Sequence, residues 1–170
     1  MIGKALTLAG GLAGAAALSQ YPEFSQQYIQ RLAGQVDALS VVVADFDRSA
    51  GANNLTRVAA LDQMQGTAFL AARKVDMQNA FIRFDTLSNN LTFLRLASPV
   101  ERIAMPHRLA DPDTFNATWA DFRPAMPLST AGAVASAAGF LGGWGVVGVA
   151  LSVLLWPFWR RQPARRNNLS

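Results

Sequence analysis

The stretch Asp45-Phe46-Asp47-Arg48-Ser49-Ala50-Gly51 starts with the alternating oxygen donors of a calcium-binding loop. Such a loop needs a glycine at its sharp turn and a bidentate glutamate at its end. The chain places Ala50 and Thr56 at those two positions, so the segment reads as a solvated helix end followed by a turn. Asp111-Pro112-Asp113 brings two carboxylates close together, but Asp113 has a simpler use as the cap of a following helix. His107 is the only histidine and cysteine is absent. Within one chain this excludes a His-Cys dyad, a multi-histidine metal site, disulfides and zinc-thiolate sites. No Gly-x-Ser-x-Gly elbow raises a serine nucleophile, and no glycine loop ending in Lys-Ser/Thr cradles a phosphate. No catalytic, cofactor-binding or metal-binding residue is assigned, and the chain is read as non-enzymatic.

The elements that would have to hold such chemistry are mostly apolar. Of 170 residues 51% are hydrophobic and only 15% charged, which points to a membrane protein. The segment from Glu23 to Arg123 holds all 11 acidic residues and ten of the 15 Lys and Arg, so it is nearly neutral. The remaining cations, Lys4, Arg160, Arg161, Arg165 and Arg166, flank the two most apolar stretches. Charge that marks segment ends rather than a folded patch fits membrane lipids as partner, and not nucleic acid.

From Ser129 to Trp156 there is no charge, and a span needs roughly 20 residues. Residues 129–159 are therefore expected to form a transmembrane helix. Trp156, Phe158 and Trp159 would sit at the interface and Arg160 and Arg161 among the phosphates, leaving residues 160–170 as a basic cytoplasmic tail. Residues 1–20 are read as a first, uncleaved span whose uncharged core runs from Ala5 to Leu18, with a cleavable signal peptide as the alternative. Both chain ends are then cytoplasmic, and everything between is periplasmic, in a bacterial inner membrane. Small residues recur at four-residue spacing: Gly3, Thr7, Gly11 and Ala15 in the first span, and Ala131, Ala135, Gly139 and Gly143 in the second. Lipid offers helices no hydrophobic drive to associate, so close backbone approach along such rows is what joins them. Gly11, Ala15, Ala135, Gly139 and Gly143 are the candidate helix-docking residues, within the chain or toward a partner.

Between the spans, residues 21–98 predict an antiparallel, coiled-coil-like helical hairpin. Ile29, Leu32, Val36, Leu39, Val43 and Phe46 alternate by three and four, and so do Met77, Ala80, Phe84, Leu87, Leu91 and Leu94. Gly51 suits a left-handed cap, Asn54 can cap the next helix, and a break is expected near Gly66. Residues 99–128 read as a proline-rich loop with one short helix, Thr114 to Phe122, capped by Asp113. That helix presents Phe115, Trp119 and Phe122 on one side, to the membrane interface or to the base of the hairpin. The predicted fold class is an all-α membrane protein in which two transmembrane helices flank this hairpin.

Two stretches, PEFSQQYIQRLAGQVDAL and TWADFRPAMPLSTAG, resemble DUF2937, a family of proteobacterial inner-membrane proteins of unknown function. Pro22, Phe24, Tyr28, Gln30 and Arg31 carry the resemblance in the first, and Trp119, Phe122, Pro124, Pro127 and Leu128 in the second. The resemblance implies the arrangement of span, helical hairpin, Trp-Pro segment and span, and no activity. The function expected is that of an accessory or scaffolding subunit, docked through its small-residue transmembrane faces and its periplasmic helical hairpin on a larger integral membrane complex or on further copies of itself. A periplasmic sensor acting through a partner is the first alternative, and a lipid-handling protein or enzyme the second.

Overall fold

Long proline-free runs with apolar side chains every three or four positions fold as helices. The structure, a computed structural model, describes residues 2–126 and 128–159, with side chains as far as Trp156. Among the described residues there are six α-helices and no strand: α1 (Ile2–Ser19), α2 (Tyr21–Ala52), α3 (Arg57–Gln63), α4 (Ala68–Leu96), α5 (Pro112–Asp121) and α6 (Thr130–Trp159). They divide between two compact units, one containing α1 and α6, the other Glu23–Pro124. The proline-rich segment up to Pro124 thus belongs to the same unit as α2, α3 and α4.

Local chemistry sets the helix limits. Asn54, not Gly51, takes the left-handed conformation after α2, at φ 57°, because the helix runs on through Gly51 to Ala52 and asparagine tolerates that region. The Asn54 N–H bonds Gly51 O at 3.0 Å and the Leu55 N–H bonds Ala50 O at 2.9 Å, satisfying carbonyls the helix leaves open. The cap of α3 is then Thr56, whose hydroxyl accepts from Ala59 N–H. The expected break falls between α3 and α4, where Gly66 has φ +100° and Thr67 caps α4. Helix α5 is capped by Asp111 rather than Asp113, since Pro112 fits the first helical position and puts the Asp111 carboxylate over the Thr114 N–H.

The predicted row on α2 is buried at Ile29, Leu32 and Val43 and half-buried at Val36, Leu39 and Phe46. That on α4 is buried at Met77, Leu87, Leu91 and Leu94. Phe81, which the three-four spacing passes over, is buried too and forms a cluster with Val43, Leu61 and Met77. Its ring meets Phe46 edge-on at 5.2 Å, and the Arg57 guanidinium lies 4.4 Å above it. The same guanidinium holds Asp47 through two bonds of 2.8 and 2.6 Å. Each fully buried large apolar side chain contributes about 1.5–3 kcal/mol, whereas a half-exposed ion pair contributes roughly 0–1 kcal/mol. Packing, more than charge, fixes α3 against its neighbours.

Helix α5 lies antiparallel along the first half of α2. Gln35 meets Thr114, Arg31 bonds Asp121, and Gln27 donates to Arg123 O. Phe24 is ringed by Phe115, Trp119 and Phe122 at centroid distances of 5.1, 6.0 and 5.6 Å. Two 3-10 turns, Glu101–Ala104 and Pro106–Leu109, join α4 to α5. They are pinned by Arg102, which donates to Leu94 O at 2.8 Å, and by Arg108, which bonds Asn89 and Asn90 and covers the Phe93 ring.

Candidate functional site

The crossing of α1 and α6 is built by glycine. A Cβ placed on Gly139 would collide with Gly14 O, one on Gly14 with Gly139 O, and one on Gly143 with Gly10 O. Gly10 faces Gly143 and Gly14 faces Gly139, so numbers rise on one helix as they fall on the other and α1 and α6 are antiparallel. At both crossings the glycine Cα–H bonds take the directions those Cβ atoms would have, toward carbonyl oxygens of the opposite helix, a contact that weakly favours close approach. Gly11 lies against the Phe140 ring, which a Cβ would meet at 2.7 Å, and a Cβ on Gly148 would be in ordinary contact with Thr7.

Of the candidate docking residues, Gly139, Gly143 and Ala135 are on this row of α6, and Ala135 is buried. On α1 the row of closest approach is Gly10 and Gly14, one position before the predicted Gly11 and Ala15. Gly11 is at its flank, Ala15 is half-buried, and Gly3 has open space around it. The row Gly139–Gly143 is therefore filled by the chain's own first helix. Gly142 and Gly145, on other faces of α6, are open.

Several hydroxyls in this unit bond within their own helices, an arrangement that suits an apolar surrounding. The hydroxyls of Thr7, Ser19, Ser136 and Ser152 donate to carbonyls one turn back in their own helices. Gln20 donates to Ser19 Oγ at 3.1 Å and accepts from Ala125 N–H at 3.1 Å, tying the end of α1 to the segment that leads into α6. Among the described residues two helices are long and apolar enough to cross a membrane: Ile2–Ala52, which contains α1, and Thr130–Trp156. Of the predicted interface anchors, Trp156 is exposed on α6. The side chains of Phe158 and Trp159, together with Arg160, Arg161 and the rest of the tail, lie outside the described residues.

The carboxylates weighed for chemistry take structural places. Asp45 and Asp47 are inside α2, paired with Arg48 and Arg57. Asp111 lies at a joint between α2, α4 and α5: its N–H donates to the buried Tyr28 hydroxyl, and its carboxylate meets Thr114 and Arg83. Arg83 also reaches Asp113 at 3.1 Å. Burial pushes the Asp111 carboxyl up, but the Thr114 hydroxyl and N–H together with the Arg83 charge bring it below its ordinary value. Burial raises the Tyr28 phenol. His107 is exposed on the second 3-10 turn. Among the described residues no group of three or more His, Asp or Glu is placed to hold a metal ion.

One known family matches nearly the whole chain. DUF2937, described as a protein of unknown function, matches residues 2–160. No curated protein and no solved structure matches the chain. With nearly its whole length matched, the chain belongs to the DUF2937 family of proteins of unknown function.

Proposed function

We propose that this protein is a non-catalytic accessory or scaffolding subunit of a bacterial inner membrane, with both ends cytoplasmic and Glu23–Pro124 periplasmic. In this reading α1 and α6 both span the bilayer, and α2 and α4 form an antiparallel, coiled-coil-like hairpin that meets a larger membrane complex. The observation that carries it is the glycine crossing: the two apolar helices complete each other, so the anchor needs no partner in the membrane. Docking then falls to the helical body, where Val41, Val42, Phe69, Val75 and Ile82 are exposed. Affinity purification in mild detergent followed by mass spectrometry tests it, and a stoichiometric membrane complex is the result expected. Recovery of the protein with lipid alone would overturn the scaffolding role. Alkaline phosphatase fused after Ser98 should be active and after Ser170 silent, and activity at Ser170 would overturn the topology.

A further inference from the structure

Helix α5 has two faces with opposite needs. Thr114 and Thr118 are buried toward α2, with the Thr114 hydroxyl beside Gln35 and the Thr118 hydroxyl bonded to Thr114 O. The adjacent face carries Phe115, Trp119 and Phe122 around Phe24, and the ring contacts leave Trp119 66% exposed. An indole is the amphipathic side chain enriched at membrane interfaces, where its ring sits at headgroup level. The chain that follows is of the same character: Arg123, Met126 and Leu128 are all exposed before α6 begins at Thr130.

Chain connectivity limits how far this apolar surface can be from the end of α1. Phe24 comes five positions after Ser19, the last residue of α1, and α2 is helical from Tyr21. At 1.5 Å per helical residue this is about 8 Å, close to the roughly 5–8 Å depth of one headgroup layer. If α1 ends at the bilayer surface, this short connection tethers Phe24 near that surface. An exposed tryptophan held there by three other aromatic rings has lipid as its nearest available apolar neighbour, and Arg123 offers a cation to lipid phosphate.

We propose that Phe24, Phe115, Trp119 and Phe122 form a docking surface for the bilayer itself, with Trp119 seated in the headgroup layer of the leaflet where α1 ends and α6 begins. This inference rests on the reading that α1 and α6 span the membrane. It makes α5 a second point of attachment to lipid.

The test uses the full chain in phosphatidylethanolamine and phosphatidylglycerol vesicles containing phospholipids brominated at defined acyl depths. A variant keeping only Trp119 (Trp144→Phe, Trp156→Phe, Trp159→Phe) should be quenched most by bromines nearest the headgroups and weakly by aqueous acrylamide. A variant keeping only Trp144, inside α6, should be quenched most by bromines near the bilayer centre. Strong acrylamide quenching of Trp119 without bromolipid quenching overturns the proposal, and so does quenching by neither, which would mean that protein covers the ring. If Trp144 is also untouched by bromolipid, the spanning reading has failed; if Trp144 responds and Trp119 does not, only this proposal has. The chain has no cysteine, so a nitroxide on Ala120→Cys gives a second measure that keeps all four tryptophans. Its accessibility to oxygen relative to a water-soluble nickel chelate should exceed that of a label on Asn53→Cys, and equal ratios would overturn the proposal.

Discussion

Gly14 and Gly139 each occupy the space a side chain on the other would need: a Cβ on either would strike the carbonyl oxygen of its counterpart. The contact is backbone to backbone, so rotamer adjustment cannot relieve a larger residue. Lys4, the only charge in α1, lies outside the crossing, and in the proposed bilayer-spanning arrangement apolar burial gives no drive for association. Shape at Gly10, Gly14, Gly139 and Gly143 is therefore what joins α1 to α6.

It follows that Gly14→Leu and Gly139→Leu should part the two helices, whereas Gly142→Leu and Gly145→Leu, at open positions, should not. Overpacking costs about 1–3 kcal/mol in an ordinary core, and a collision with fixed backbone belongs at the upper end. A disulfide between Thr7→Cys and Gly148→Cys reads the register, because a Cβ on Gly148 would lie 3.7 Å from Thr7 Cγ2. Oxidation should link the pair in the parent and in Gly142→Leu, and fail in Gly139→Leu. Equal linkage in all three would mean the glycine crossing is not what sets the register.

The glycine row of α6 was legible in the sequence because Ala131, Ala135, Gly139 and Gly143 is the longest row of small residues there. On α1 the predicted Gly11 is buried against Phe140 of α6, while the closest backbone approach falls on the neighbouring row, Gly10 and Gly14. Gly10–Gly14 and Gly11–Ala15 are neighbouring rows of nearly equal smallness, and only the register against α6 decides between them. Burial at Leu32, Leu87 and Leu94 followed from spacing alone. Phe81 was missed because α4 is covered by α3 as well as α2 in that region, so its buried stripe is wider than a two-helix seam. The caps at Asn54, Thr56 and Asp111 depended on where each helix actually stopped, and composition places such ends only to within a few residues.

At the Asp111 joint, two substitutions separate cap from charge. Asp111→Ala removes the oxygen over Thr114 N–H and should cost about 1–2 kcal/mol. Asp111→Asn can still cap but leaves Arg83 without its buried partner. Because the folded carboxyl lies below its ordinary value, its contribution is complete above the unfolded value of about 3.9 and is lost as pH falls through that value toward the folded one. Melting in detergent across an acid pH series should show less acid destabilisation in Asp111→Asn than in the parent. Identical pH slopes would remove Asp111 from the joint's energetics.

Gly66 holds φ +100°, a conformation that costs any L side chain energy. Gly66→Ala should lower the melting temperature by an amount corresponding to about 1 kcal/mol or more, although a Cβ there meets no other atom. Gly34→Ala, also with open space but inside α2, should instead stabilise by about 0.5–1 kcal/mol. The opposite signs separate backbone strain from crowding, and a stabilising Gly66→Ala would show that the link between α3 and α4 adopts another conformation.

Leu87 and Ile82 share α4 and differ in what surrounds them. Leu87 is 2% exposed and Ile82 66%, so the same charge introduced at each asks a different question. Leu87→Asp puts a carboxylate into the packed face of α4, where an unpaired buried polar group costs several kcal/mol. The chain should then lose protease resistance and abundance. Ile82→Asp leaves its carboxylate in water and should keep the parent's protease resistance, since surface changes away from special features stay within roughly 0.5 kcal/mol. If the exposed apolar side chains of the helical body are where a larger complex attaches, Ile82→Asp should still release the protein from that complex in mild detergent. Intact protease resistance with full retention of the partner would rule out the face around Ile82 as the docking surface, and loss of resistance in Ile82→Asp would show that this face is packed inside the body.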